Sequence, residues 1–222
     1  MEAPLGSRTK LTLPDGTLVW LNAGSRITYS QGFGVGNRKI ELIGEGYFEV
    51  KRNEEVPFLV KTNSLLVKVL GTKFNFRDYP DDAEAIVSLS EGKVALNNLL
   101  KKEKEAFLLP NERVVLNKKN GRMHVEYSTV SNALQWTNGY LFFDEELLPD
   151  VVKELERSYN VKIQIASDTL NTFRFYGNFV HREQNIQEVL EALSATRKIH
   201  YIIEGHNITC LLYTSDAADD LI

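Results

Sequence analysis

The sequence is poor in cysteine: Cys210 is the one such residue among 222. A lone cysteine can neither close an internal disulfide nor assemble a thiolate metal site. A disulfide-stapled scaffold is therefore excluded, although an exported location is not. No run of about 18 apolar residues occurs, so nothing reads as a membrane-spanning helix. The N-terminal Met1-Glu-Ala-Pro-Leu-Gly lacks the basic start and apolar stretch of a signal peptide. Taken alone, this stretch would stay in the cytoplasm, and work elsewhere requires a segment outside it. A concentrated basic face is also missing. Net charge is −4, and the longest basic cluster is Lys101, Lys102 and Lys104. That balance argues against nucleic acid as a partner.

What is present is enough apolar side chain for folded cores: 43% hydrophobic against 25% charged residues, close to ordinary globular usage. Residues 1–117 read as a β-domain. Short apolar or alternating runs recur, among them Lys10 to Leu13, Leu18 to Leu21, Lys39 to Ile43, Tyr47 to Val50, Lys73 to Phe76 and Arg113 to Leu116. Turn residues separate them, including Asp15-Gly16, Gly44, Gly71 and Glu91-Gly92. Many short strands spaced by turns predict a sandwich, a barrel or a short β-solenoid. Asp15-Gly16 is the strongest hairpin signal, because both residues tolerate positive φ.

Residues 118–135 are polar and patternless and read as a linker. A small α+β module follows over 136–210, in the order β-α-β-β-α-β-β, with two helices on one face of a sheet. Leu148, Val151, Val152, Leu155 and Tyr159 share one helical face. Pro149 is tolerated in the first turn, and Asn160 ends the helix. Asn185 with Glu188 forms a capping-box start for the second helix. Residues 211–222 break the preceding alternation and read as a non-native tail, which leaves Cys210 outside the functional argument.

Chemistry-bearing motifs are sparse. Glu45, Glu49 and Glu91 could be imagined as an acid/base pair, but nothing in the sequence brings two of them to one substrate atom, and Glu45 and Glu91 stand beside turn glycines. Gly44-Glu-Gly46 and Gly71-Thr72 do not continue as phosphate loops. Gly71 is expected to allow a sharp bend between strands. His124, His181, His200 and His206 are too dispersed for the few-residue spacing of zinc ligands. No Gly-x-Ser-x-Gly elbow is present. No catalytic residue, cofactor or metal ligand is assigned. Trp20, Trp136, Phe142, Phe143, Tyr159 and Phe179 are core candidates, with Trp136 alternatively packing between the two domains. The stretch Phe173 to Phe179 reads as an aromatic strand, either interior or an edge able to recruit a partner strand. Phe173, Phe175, Tyr176 and Phe179 are its candidate partner-binding residues.

Seven blocks in order resemble the periplasmic domain of FecR-family regulators. They are Leu13-Pro-Asp-Gly-Thr-Leu-Val-Trp-Leu-Asn22 with Ser25, Arg38 to Leu42, Gly44-Glu-Gly-Tyr-Phe-Glu-Val50, Pro57-Phe-Leu-Val60, Val69-Leu-Gly-Thr-Lys-Phe-Asn75, Leu89-Ser-Glu-Gly-Lys-Val94 and Leu109-Pro110. The second half, through Trp136, Gly139-Tyr-Leu-Phe-Phe143, Leu148, Glu156-Arg-Ser-Tyr159, Gly177-Asn-Phe179 and Val189-Leu190, is similar to the small N-terminal domain of secretins and TonB-dependent receptors.

The resemblance implies a non-enzymatic regulator: the periplasmic part of an inner-membrane anti-sigma protein. Its implied partners are the N-terminal signalling domain of a TonB-dependent outer-membrane receptor and, through a missing cytoplasmic segment, an extracytoplasmic-function sigma factor. Membrane contact would come only through a missing upstream helix. Two other readings stand beside it. A carbohydrate-binding or sugar-modifying β-domain would need a cleft with paired carboxylates. A secretion-channel component would need further copies of the second module.

Overall fold

The computed structural model describes residues 1–127 and 130–213. The chain divides after Thr137 into two compact units, each described by itself below.

The first unit is a 13-stranded sheet. Its strands are β1 (Glu2–Ala3), β2 (Thr9–Thr12), β3 (Leu18–Leu21), β4 (Ser25–Tyr29), β5 (Arg38–Glu49), β6 (Phe58–Lys61), β7 (Leu65–Val69), β8 (Lys73–Asp78), β9 (Glu84–Glu91), β10 (Val94–Asn98), β11 (Ala106–Leu108), β12 (Glu112–Asn117) and β13 (Met123–Tyr127). Among the described strand pairs of the first unit, only β5 and β6 run parallel. This is the antiparallel pattern of a sandwich, not the parallel ladder of a solenoid.

Strand β5 is the pivot. Its first half pairs with β4 and β6, and its second half with β3 and β8. From it one arm runs β6-β7-β10-β11 and the other β8-β9-β12-β13. The sequence reading breaks this strand at Gly44, yet the strand passes straight through. The physical reason is a close approach rather than a turn. Gly44 has φ +96°, and a Cβ there would lie 2.4 Å from Ser25 Oγ and 2.9 Å from Ser25 Cα. Gly71 likewise answers a neighbour: a Cβ would meet Arg52 Cα at 2.8 Å.

Alternation puts every second side chain of each strand on the inner face. Both arms bury those side chains in one core that includes Val19, Leu21, Ile27, Ile40, Val67, Leu89, Leu96 and Val114. Phe48, Phe58, Phe74 and Phe76 are fully buried at its centre, with Phe48 stacked on Phe74 at 5.0 Å between ring centroids. Each such side chain contributes about 1.5–3 kcal/mol by leaving water.

Strands β1, β4 and β13 lie beyond those expected from the sequence. Strand β13 falls within 118–135 and pairs along β12 from Glu112–Tyr127 to Leu116–Met123, so that segment is not linker throughout. A short helix, α1 (Val130–Ala133), and a 3₁₀ turn, Gln135–Asn138, follow it.

The second unit contains β14 (Tyr140–Leu147), α2 (Leu148–Tyr159), β15 (Lys162–Ile165), a 3₁₀ turn at Asp168–Thr172, β16 (Arg174–Val180), α3 (Ile186–Ser194), β17 (Ile199–Glu204) and β18 (Asn207–Leu212). This is the order expected. Pro149 sits in the first turn of α2, and Asn160 closes it in the left-handed region at φ 52°. On α3 the capping box is complete: the Asn185 side chain accepts the Glu188 N–H at 3.1 Å, and the Glu188 carboxylate accepts the Asn185 N–H at 2.7 Å. The strands do not form one sheet. Strand β14 pairs with β16, while β15, β18 and β17 form a separate three-stranded sheet. Both sheets and both helices share one core, with Leu155, Phe143, Phe175, Val189 and Ile208 among its members.

The expected tail begins inside structure. Leu211 and Leu212 pair with His200 and Ile199, and Cys210 is buried and pairs with Tyr201 and Ile165. Residues 214–222 lie outside the described residues.

Candidate functional site

The candidate aromatic strand is β16, paired on one side only, antiparallel to β14. Period-two alternation splits its residues. Phe175 and Phe179 point inward and are 2% and 6% exposed; the Phe179 ring lies 6.1 Å from Phe143 and covers Gly177. Phe173, just before the strand, is half-buried against the same core. Only Tyr176 turns its ring to solvent, at 62% exposure. The core thus takes Phe175 and Phe179 fully and Phe173 in part, and the outer strand edge with Tyr176 remains as contact surface.

Around Tyr176 the two-stranded ribbon is acidic. Strand β14 carries Asp144, Glu145 and Glu146 at a bulge between Phe143 and Glu146, and Glu145 adopts φ 55° there. The Tyr176 hydroxyl donates to Glu145, which pushes its pKa up. Arg174 donates to the Glu145 carbonyl at 2.6 Å. Tyr140, on the same ribbon, is partly exposed. The edge of β16 is engaged at its ends, where Lys198 Nζ donates to the Arg174 carbonyl at 3.1 Å and the Val180 N–H donates to the Gln184 side chain at 2.9 Å; between them, among the described residues, no second strand pairs with it. Such an edge can accept an added strand.

The three glutamates are engaged separately. The Glu45 carboxylate is buried and accepts from the side-chain amides of Asn22 at 2.9 Å and Asn75 at 2.8 Å. Glu49 accepts from the Tyr47 hydroxyl at 3.4 Å. Glu91 pairs with Lys73 at 2.8 Å, and Lys73 stands in register with both Glu49 and Glu91. A lysine is therefore interposed between Glu49 and Glu91. The histidines are apart: His124 lies 3.5 Å from Glu126, while His181 in the other unit meets the Ser158 carbonyl at 2.7 Å and the Tyr159 ring at 4.7 Å. His200 stands in β17 opposite Leu211, and His206 lies in the turn that follows. Among the described residues no group of three His, Cys, Asp or Glu could hold a metal ion.

Sequence reasoning missed one cluster. Trp136 belongs to the first unit and is 7% exposed. Its indole N–H donates to the Asn75 side-chain carbonyl at 3.1 Å. Asn75 is in register with Tyr47 on one side and Ser88 on the other, so Trp136 covers the outer face of the β5-β8-β9 sheet. Sixty-one positions separate Trp136 from Asn75, and no local pattern announces such a pair.

Among the described residues no helix is long and apolar enough to cross a membrane. No curated protein matches the chain. Two crystal structures do, each of a candidate anti-sigma factor from Parabacteroides distasonis. Both are 32% identical to this chain over 96% of its length, covering 99% and 98% of theirs, with TM-scores of 0.88 and 0.87. The family described as FecR protein matches residues 1–95, and the one described as FecR, C-terminal matches residues 140–210. Full-length similarity above 30% identity, with both family matches in order, settles the assignment: the chain belongs to the FecR family of anti-sigma regulators.

Proposed function

We propose that this chain is the periplasmic portion of an inner-membrane anti-sigma regulator that relays the state of a TonB-dependent outer-membrane receptor to an extracytoplasmic-function sigma factor. Family membership supports the regulatory part, since FecR proteins are membrane-anchored with a periplasmic domain. The observation that carries the receptor part is the two-stranded β14–β16 ribbon of the second unit, with β16 paired on one side only and Tyr176 exposed beside it. The receptor's signalling domain would add a strand to this edge. Backbone hydrogen bonds would supply affinity, and contacts to Tyr176 and the acidic bulge specificity. The first unit would pass the event toward a membrane helix upstream of Met1, and that segment's cytoplasmic side would hold the sigma factor.

The test is binding of the whole chain to purified receptor signalling domains encoded in the same genome. One domain should bind, and Tyr176→Ala should weaken binding at least about tenfold, as loss of an interface aromatic does, without changing the unfolding midpoint. Binding to none, or a Tyr176→Ala variant with full affinity, would overturn this reading of the ribbon.

A further inference from the structure

Four side-chain hydrogen bonds run in series across the outer face of the first unit. The Trp136 indole donates to Asn75 Oδ1 at 3.1 Å, and Asn75 Nδ2 donates to Glu45 Oε1 at 2.8 Å. Asn22 Nδ2 donates to Glu45 Oε2 at 2.9 Å, and Arg8 Nε donates to Asn22 Oδ1 at 3.0 Å. Asn22, Glu45 and Asn75 are 1%, 4% and 3% exposed. The chain begins one residue before the end of the first unit and finishes in the N-terminal stretch before β2.

This geometry differs from an ordinary buried polar patch in where its ends lie. One end is the segment that leads directly into the second unit. The other is the stretch nearest the chain's entry into the first unit. Asn75 and Glu45 hand the series on through different atoms, whereas Asn22 Oδ1 accepts from both Arg8 and the Ala23 N–H and Glu45 Oε2 also faces Arg77 at 4.0 Å, so loss of one link weakens the bonding of the next buried partner. A buried group left unbonded carries its full desolvation cost, and bonded networks of this kind respond together rather than link by link. Two further bonds fix the middle: the Ala23 N–H donates to Asn22 Oδ1 at 2.9 Å, and the Glu45 N–H donates to Ser25 Oγ at 2.8 Å.

We propose that Trp136 is a latch: its seating on Asn75 and the seating of Arg8 on Asn22 form one cooperative element, so that displacing the segment before the second unit loosens the N-terminal stretch. The inference rests on the relay reading and supplies its route through the first unit. Trp136 is a positioning residue in this route and touches no ligand.

Hydrogen exchange on the whole chain tests it without a receptor. The protein has two tryptophans, so each indole N–H is separately observable. Arg8→Ala removes a partly exposed side chain far from the indole. It should speed exchange of the Trp136 indole N–H about tenfold, the effect of one charge-assisted hydrogen bond, and leave that of Trp20 unchanged. In the reverse direction, Trp136→Phe keeps a ring but no donor, and should speed amide exchange over residues 7–11 and 21–24. Linkage requires the two effects to be reciprocal. Strands β6 and β7 should stay protected in both variants, which separates coupling from global unfolding. Changes confined to the neighbourhood of each substitution would overturn the latch. Should Trp136→Phe fail to fold, the Arg8→Ala indole measurement decides alone. Receptor binding that fails while the coupling holds sinks the relay reading only. Coupling that fails while receptor binding holds sinks the latch only.

Discussion

Asp15 and Arg38 form an ion pair at 2.8 Å with side chains 8% and 3% exposed. Asp15 belongs to the β2–β3 turn, and Arg38 opens the pivot strand β5. The same carboxylate accepts the Thr17 N–H and hydroxyl, each at 2.9 Å. The guanidinium also donates to the Val56 carbonyl at 3.1 Å and the Lys51 carbonyl at 2.6 Å, and lies 5.3 Å from the Phe58 ring centroid. One pair thus ties a hairpin turn to the loop between β5 and β6.

Removing one partner of a buried pair leaves an uncompensated charge and costs about 3–5 kcal/mol. Arg38→Ala and Asp15→Ala are each expected to lose that much in urea unfolding. The double variant should lose less than the sum, because the second change removes an already stranded charge. Additive losses would show that the pair is not coupled.

The elements legible in the sequence are those whose signals are local. Helix α2 shows its apolar face, Pro149 and Asn160 within 13 residues, and α3 shows its cap in four. Strand β5 is not legible as one strand, because Gly44 carries a tertiary demand, the approach of Ser25, that looks locally like a turn. Strand β13 hides for another reason: Met123, Val125 and Tyr127 alternate with His124 and Glu126, but most of its side chains are exposed and the short run sits inside a polar stretch read as linker. At the ribbon, the sequence identifies an aromatic strand but not which rings face inward. That division follows from its pairing with β14. The Trp136 cluster is invisible because its members are brought together only by the register of β5 and β8.

Gly44 offers a sharp test of the pivot. Ala at φ +96° is strained by its own backbone, and its Cβ would overlap Ser25. Gly44→Ala should therefore cost about 1–3 kcal/mol, the range for overpacking a well-filled site. Gly36, at φ +76° with nothing within 4 Å of a Cβ, is the control: the difference between the two variants isolates the overlap from the backbone strain. Equal losses would place the whole cost in the dihedral.

The capping box on α3 predicts a smaller effect. Asn185→Ala removes the acceptor of the Glu188 N–H and should cost about 1 kcal/mol, whereas Asn185→Asp keeps the acceptor and places a negative charge at the helix N-terminus, where it is favourable. Thermal melts of the two variants should separate in that order.

Alkaline stability should carry the signature of Tyr47. Burial first, then Glu49 and Glu91, push its phenol up to about 12 from an ordinary value of 10.0. The fold therefore prefers the neutral ring. Below pH 10 both folded and unfolded chains hold the proton, and this preference is fully present. Between about pH 10 and 12 the unfolded chain loses the proton first, so stability falls as pH rises. The urea midpoint should drop from pH 9 to pH 11, and Tyr47→Phe should flatten part of that drop. Tyr201, also raised by burial and by Glu191, contributes to the remainder. A midpoint that rises over this interval would reverse the sign assigned to the ring.

Cys210 is the reporter for the second unit. It lies in β18, paired with Ile165 on one side and Tyr201 on the other, and is 1% exposed. Burial pushes its thiol up to about 11, so in the closed sheet the reactive thiolate is scarce at pH 8 and opening is needed both to expose the sulfur and to ionise it. Being the sole cysteine in the sequence, it gives an unambiguous signal. A thiol reagent at pH 8 should modify the native chain slowly and the urea-unfolded chain stoichiometrically within minutes. In low urea the labelling rate should follow the opening of the β15–β18–β17 sheet and be unaffected by Gly44→Ala in the first unit. Rapid labelling without urea would mean that β18 is not the central strand of that sheet, and the core assigned to the second unit would have to be redrawn without it.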